Sequence, residues 1–260
     1  MVRAKKHLGQ HFLKEPETAR KIAMALRAEG YRTVLEIGPG TGVLTQFLME
    51  RDDVNLYLSE VDTESIEYLQ AQYLHYPTDR YLGNFLALDL AARLPVPCGI
   101  IGNFPYNISS QILFRVYEQR QHVPEVVGMF QKEVAERVAA GPGSKTYGIL
   151  SVLLQAFYDI EYLFTVKPGS FNPPPKVNSG VIRLVRNDVD HLACDESKFK
   201  QVVKLAFNQR RKTLRNALKS LIFDGATKEL EVLNQRAEQL SVAQFVELTQ
   251  HLQEQSGGTD

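Results

Sequence analysis

Residues 33–42, Thr-Val-Leu-Glu-Ile-Gly-Pro-Gly-Thr-Gly, decide the fold class. TVLEIG (33–38) is a short apolar, β-branched run ending in glycine, the pattern of a strand buried on both faces of a parallel sheet. Gly38-Pro39-Gly40-Thr41-Gly42 turns the chain, and Leu44, Phe47 and Leu48 then share one helical face. The same alternation repeats outward. VNLYLSE (54–60) precedes a helix marked by Ile66, Leu69 and Tyr73, and a weaker strand falls near Arg80–Leu82. CGIIGN (98–103) precedes a helix with Ile112, Leu113, Val116 and Tyr117, and VVGMF (126–130) follows. Upstream, a helix through Ile22, Ala25 and Leu26 stops at Gly30. Strands alternating with helices predict an open parallel sheet built from crossover units.

The sheet changes character at its end. IEYLFTV (160–166) and GVIRLV (180–185) are separated only by KPGSFNPPPKVNS, which holds no helical crossover, so an antiparallel edge is expected. After Asn187 no strand-like run remains. Phe199, Val202, Val203, Ala206 and Phe207 recur at helical spacing, and Leu214, Leu218 and Leu221 continue the stripe. Ser241 is placed to cap a last helix carrying Phe245, Leu248 and Leu252. The expectation is an α/β domain over residues 1–188, with a basic arm over 1–14, and a small all-helical domain over 189–260 whose terminal SGGTD frays.

With 260 residues, 44% hydrophobic and 23% charged, the chain reads as globular. No run of about 18 apolar residues exists to span a bilayer, and MVRAKKHLGQHFL lacks a secretory apolar core. Cys98 and Cys194 form no CxxC pair, so neither a disulfide framework nor a zinc knuckle is expected. These features imply a cytoplasmic protein. Thirty basic residues balance thirty acidic ones, yet the charge is clustered. Lys198, Lys200, Lys204, Arg210, Arg211, Lys212, Arg215 and Lys219 stand in one stretch without an acid. A solvated helix face is the ordinary fate of such a run. Unneutralised cations repel, however, and a polyanion such as RNA relieves that repulsion. Lys5 and Lys6 of the arm extend the expected surface.

Two motifs carry chemistry. The glycine cluster is GxGxG, with Val43 where a dinucleotide fingerprint needs glycine. Glu60 ends the next strand about 20 residues on, where a carboxylate grips ribose hydroxyls in nucleotide-binding sheets. The bland alternative is a structural turn and a solvated glutamate. The second motif, Asn103-Phe104-Pro105-Tyr106, also lies at a strand's carboxyl end, facing the ligand crevice. Adenine N6 is a poor nucleophile because its lone pair is delocalised into the ring. Acceptors for both N–H protons localise that pair, and the Asn103 side-chain carbonyl with a backbone carbonyl of Phe104-Pro105 supplies two. Pro105 has no N–H and a fixed φ, which suits holding a carbonyl in place. Tyr106 offers a face for a splayed base, worth roughly 1–3 kcal/mol. The alternative is a proline turn with a capping asparagine.

KKHLGQHFL (5–13), VLEIGPGTGVLT (34–45), IGNFPYNISS (101–110), FNPPPKVNSGVIRL (171–184) and FNQRRKTLRNAL (207–218) together resemble the bacterial ribosomal RNA small-subunit adenine dimethyltransferase family. The resemblance implies a Rossmann-like S-adenosylmethionine methyltransferase sheet. It also implies transfer of methyl groups from S-adenosyl-L-methionine to N6 of two adjacent adenosines, in a hairpin loop near the 3′ end of 16S rRNA, within the immature small subunit. Position by position, it assigns cofactor contacts to His11 and Leu13, the methionine part to Gly38, the ribose to Glu60, and both cofactor and base to Asn103. It assigns Phe171 to stack the target adenine opposite Tyr106. Two positions depart from the family pattern. Phe104 replaces leucine, which keeps the flanking carbonyls. Asn84 replaces an aspartate that accepts from the cofactor's adenine amino group, so that bond loses charge assistance, about 1 kcal/mol.

Metal and nucleophile chemistry is not expected. His7 and His11 read as a helical i, i+4 pair without a third ligand, and no GxSxG or HExxH occurs. The protein is expected to act as a monomer. Other readings are an enzyme for large-subunit rRNA, against which the RRKTLRN block stands, and a non-catalytic nucleic-acid factor on the same fold, to which only Asn84 lends weight. A DNA adenine methyltransferase fits the C-terminal block less well.

Overall fold

The structure is a computed structural model that describes residues 2–221 and 229–254; the predicted frayed end, residues 256–260, lies outside them. Among the described residues nine strands occur: β1 (Phe12–Leu13), β2 (Thr33–Ile37), β3 (Asn55–Ser59), β4 (Tyr81–Leu82), β5 (Cys98–Asn103), β6 (Glu125–Gln131), β7 (Tyr158–Val166), β8 (Phe171–Asn172) and β9 (Ser179–Arg186). Seven form one sheet in the order β4-β3-β2-β5-β6-β9-β7. From β4 to β6 all pairings are parallel, whereas β9 runs antiparallel to β6, with Gly128 opposite Ile182. The α/β class and the antiparallel end are therefore as predicted.

The order 4-3-2-5 reverses direction at β2, so the carboxyl ends of β2 and β5 flank a topological switch point, where open sheets bind ligands. β2 is buried along its whole length, which is why it reads as a continuous apolar run. At the opposite end of the sheet the buried Glu125 carboxylate accepts from the Arg27 and Ala28 amides and from the Tyr31 hydroxyl. That carboxylate anchors the loop leading into β2.

Sequence periodicity misses the pairing of β1 with β8, a two-residue antiparallel ladder that sets Leu13 opposite Phe171. It also misses the helices Lys132–Ala139 and Ile149–Gln155. Internal contacts separate two units: Met1–Glu136 with Asp159–Arg186, and Arg137–Tyr158 with Asn187–Asp260. The second unit thus takes in 137–158, which a boundary at 188 leaves with the first.

Within the second unit, the helix Glu196–Asn208 packs against Ile149–Gln155 and Val242–Glu254. The rings of Tyr147, Phe207 and Phe245 meet in sequence, with centroids 6.0 Å apart. Ser241 caps the last helix reciprocally with Gln244. The predicted continuous stripe from Phe199 to Leu221 is broken, however. The helix ends at Asn208, residues 209–213 form a turn, and Leu214–Ala217 is a separate short helix.

Candidate active site

The turn after β2 needs residues without a Cβ. Gly38 and Gly40 sit at φ +68° and +54°, and a Cβ on Gly40 would lie 2.7 Å from the Phe12 ring. The bare backbone of both residues lines a cavity of about 230 Å³ at the carboxyl ends of the strands. Glu60, Asn84, Asn103, Pro105, Tyr106 and His11 line it too, so six more of the predicted site residues converge there. Leu13 and Phe171 are not on this wall. Leu13 borders a small void of about 30 Å³ behind Gly38, beside Glu36.

Phe171 is 1% exposed and packs with Leu13, Ile22 and Val166. The pairing explains this: β8 turns Phe171 onto Leu13 and leaves Asn172 exposed. The expected purine sandwich between Tyr106 and Phe171 is therefore corrected: Phe171 is a core side chain.

Glu60 is 6% exposed and accepts from the amides of Gly40, Val61 and Asp62 at 3.2, 2.8 and 2.9 Å. Burial pushes its carboxyl upward, and these three amides oppose the shift. Glu36 is 2% exposed and raised to about 8, again by burial, with the Thr45 hydroxyl donating at 2.8 Å. Asn84 Oδ1 accepts from the Leu86 amide at 3.0 Å, capping the short turn that follows it.

The arm closes one side of the cavity, with Leu8 to Phe12 on its wall. It is held in several places. Asn103 Nδ2 donates to the His11 carbonyl at 2.9 Å, and His11 Nδ1 lies 2.9 Å from the Pro173 carbonyl. Asn107 Nδ2 donates to the His7 carbonyl at 3.3 Å. The first turn, Lys6–Leu8, ends at left-handed Gly9, so His7 and His11 share no helix face, contrary to the sequence reading.

Lys5 also departs from expectation. Its ammonium pairs with Asp62 and reaches Glu64 at 3.4 Å. The charge is spent inside the chain, so Lys5 is corrected from RNA contact to arm anchor. Lys6 is exposed.

At the Asn103 motif the acceptors sort themselves. The amide nitrogen of Asn103 is committed to His11, which leaves Oδ1 as its free end. The Pro105 carbonyl accepts from Ile108 N, whereas the Phe104 carbonyl has no partner among the described residues. The Tyr106 hydroxyl bonds Ser179 Oγ, and its ring lies 5.4 Å from that of His11.

Arg210, Arg211 and Lys212 sit in the 209–213 turn rather than on a helix, a further correction. Arg211 and Lys212 are exposed. Arg210 reaches the Ser144 carbonyl at 3.4 Å, and Arg215 reaches Asn234 Oδ1 at 3.3 Å. The loop carrying Ser144 and exposed Lys145 adjoins the basic turn, a neighbour that sequence reasoning missed because it lies 66 residues upstream.

The cavity's residues discriminate between ligands. One carboxylate, Glu60, lines it, and no lysine or arginine does. A pyrophosphate would meet no cation there, whereas a cationic sulfonium bearing an adenosine finds a carboxylate for ribose hydroxyls and amide groups for the base. The residues fit S-adenosylmethionine.

Comparison with known proteins agrees. The family described as ribosomal RNA adenine dimethylase matches residues 1–254. A ribosomal RNA small subunit methyltransferase A from Cytophaga hutchinsonii is 58% identical, covering 96% of this chain and 98% of that protein. One of the same name from Flavobacterium johnsoniae is 53% identical, covering 97% of each. Among solved structures, a dimethyladenosine transferase from Plasmodium falciparum superposes with a TM-score of 0.80 at 24% identity, over 95% of this chain and 98% of that one. The 23S rRNA methyltransferase ErmE superposes with a TM-score of 0.67 at 23% identity, over 92% and 99%. These two establish the fold.

Proposed function

The chain belongs to the ribosomal RNA adenine dimethylase family, and from that premise we propose that it modifies two adjacent adenosines in the 3′-terminal hairpin loop of 16S rRNA, within the immature small subunit. It is an rRNA adenine N6,N6-dimethyltransferase. The observation that carries the chemistry is the pair of acceptors at one strand end: Asn103 Oδ1, left over when Nδ2 is tied to His11, and the unpartnered Phe104 carbonyl.

S-adenosyl-L-methionine, when bound, supplies an electrophilic methyl group on sulfur. Glu60 would hold its ribose, Gly38 and Gly40 its methionine part, and Asn84 its adenine amino group. The two carbonyls accept the N6–H protons of the target adenine, pull the nitrogen toward tetrahedral geometry and localise its lone pair. Pro105 keeps the peptide rigid, and Tyr106 supplies the stacking face. Transfer leaves N6 cationic and acidic, so its proton passes to water and no side-chain base is needed. The arm, by excluding water from one side and positioning Asn103, contributes orientation.

In the second unit Arg210, Arg211, Lys212 and Arg215 would hold RNA phosphates, and in the first unit Lys6 would do the same. Action as a monomer is part of the proposal. Among the described residues no helix is long and apolar enough to cross a membrane, and the ribosomal substrate puts the proposed site of action in the cytoplasm.

The test is incorporation of labelled methyl into under-methylated small subunits, with the product mapped by mass spectrometry. Dimethyladenosine at two neighbouring positions near the 3′ end is expected, and Asn103→Ala should abolish it. No incorporation, or methylation of isolated 23S rRNA instead, would overturn the proposal.

A further inference from the structure

A second cavity, of about 540 Å³, lies behind the first. The two share Gly9, Gln10, His11 and Tyr106, so the His11–Tyr106 ring pair separates them. Its size is that of pockets that enclose a ligand, about 300–1,000 Å³. Its outer wall is Pro173, Pro174, Pro175, Lys176 and Val177 of the proline loop, and its inner wall is the arm from Ala4 to His11.

The charge on this wall is one-sided. Lys6 and Lys176 face it from the two opposing segments, and no acidic residue lines it. Both lysines are exposed, and neither has an ion pair among the described residues. Lys5, one residue away, shows the alternative, since its ammonium is neutralised by Asp62 and Glu64. The His11–Pro173 contact bridges the arm and the loop, so the two lysines belong to segments already held together. The walls are otherwise stiff and apolar: three successive prolines lack N–H groups, and Val177 is 46% exposed. Gln131, at the end of β6, is the remaining polar side chain with donor and acceptor both available.

We infer that this cavity seats the nucleotide adjoining the target adenosine, with Lys6 and Lys176 on its flanking phosphates and its base against the proline wall. The inference deepens the proposed function and rests on it. The geometry gives the reason: a base in the first cavity beside Asn103 and Tyr106 is joined by one phosphodiester to its neighbour, and the second cavity is the space on the other side of that same tyrosine. An enzyme acting on adjacent adenosines needs a place for whichever base is not reacting. Lys6 and Lys176 are therefore positioning residues.

The experiment measures the salt dependence of KM for under-methylated small subunits with wild type, the double variant K6A/K176A and the charge-conserving K6R/K176R. Each phosphate contact to a single strand contributes about 0.7 to the slope of log affinity against log salt, so the alanine pair should flatten the slope by about 1.4. The arginine pair should retain it. The dissociation constant for S-adenosylhomocysteine should be the same in all three proteins, since the first cavity is untouched. A wild-type slope in K6A/K176A, with methylation proceeding, would overturn the inference and leave the proposed function standing. Absence of methylation by wild type would instead remove the function on which it rests.

Discussion

Replacing Asn84 by aspartate should tighten cofactor binding about fivefold. The Asn84 amide oxygen carries two acceptor sites. One is used by the Leu86 amide at 3.0 Å, which leaves one for an adenine amino group in the cavity that Asn84 lines. Aspartate keeps both roles, since it is as good a cap as asparagine. It converts each bond from neutral, about 1 kcal/mol, to charge-assisted, about 1.5–3 kcal/mol. Asn84 is exposed, so solvent takes back part of the difference, and about 1 kcal/mol remains for the ligand bond, or about fivefold. Titration calorimetry with S-adenosylhomocysteine reads this directly. Asn84→Ala supplies the opposite arm: it removes the acceptor and should weaken binding by a similar factor, while thermal melting reports the lost cap separately. The gain from aspartate should vanish below about pH 4 as the carboxylate protonates. Equal dissociation constants for wild type, Asn84→Asp and Asn84→Ala would refute the reasoning, because the adenine would then not be held at residue 84.

Three further expectations follow from the same geometry. Glu36 is raised to about 8 by burial, so the folded state keeps a proton that the unfolded chain releases above about pH 4.3. Stability should then fall as pH rises across that window, by on the order of 5 kcal/mol, and level off above about 8. Urea unfolding of Glu36→Gln should show this slope removed. Phe171→Leu should cost about 1–2 kcal/mol of stability and leave kcat nearly unchanged, while Phe171→Ala should cost about 3–5 kcal/mol. A well-folded Phe171→Leu with kcat reduced a hundredfold would put the ring against the substrate base instead. Charge reversal at Arg211 and Lys212 should flatten the salt dependence of RNA binding by about 1.4–1.8, and an unchanged slope would place the RNA surface elsewhere.

The sheet was legible because strands buried on both faces leave uninterrupted apolar runs, as in TVLEI and CGIIGN, and because glycine turns punctuate them. The site's core was legible for a related reason: Gly38, Glu60 and Asn103 all sit at carboxyl ends of strands, so topology alone brings them together. Part of what failed depended on partners distant in sequence. Lys5 and Lys6 are indistinguishable neighbours until Asp62, 57 residues on, neutralises one of them. The turn at 209–213 escaped notice because Leu214 follows Phe207 by seven residues, which keeps the apolar stripe in phase across the break. The helix Ile149–Gln155 is apolar nearly all round, and such a run carries no helical period to detect. Phe171 was misassigned because a two-residue ladder, β1 with β8, leaves no pattern and yet decides which way the ring points.

The arm ties these threads to the chemistry. A primary amide has one end that accepts and one that donates, and the two have nearly the same shape. Presented with its NH₂ toward adenine N6, Asn103 would face donor to donor and could not localise the lone pair. In the proposed scheme the bond from Nδ2 to the His11 carbonyl would select the productive orientation, and the His11 position depends in turn on the Pro173 contact and on the adjoining β1 pairing with β8. In that scheme Phe171 would matter to catalysis through packing: buried against Leu13, it fixes the two-residue strand that follows His11, whose carbonyl holds the Asn103 amide. A residue assigned by resemblance to touch the substrate would then act on it from within the core, through the β1–β8 ladder and the bond between His11 and Asn103.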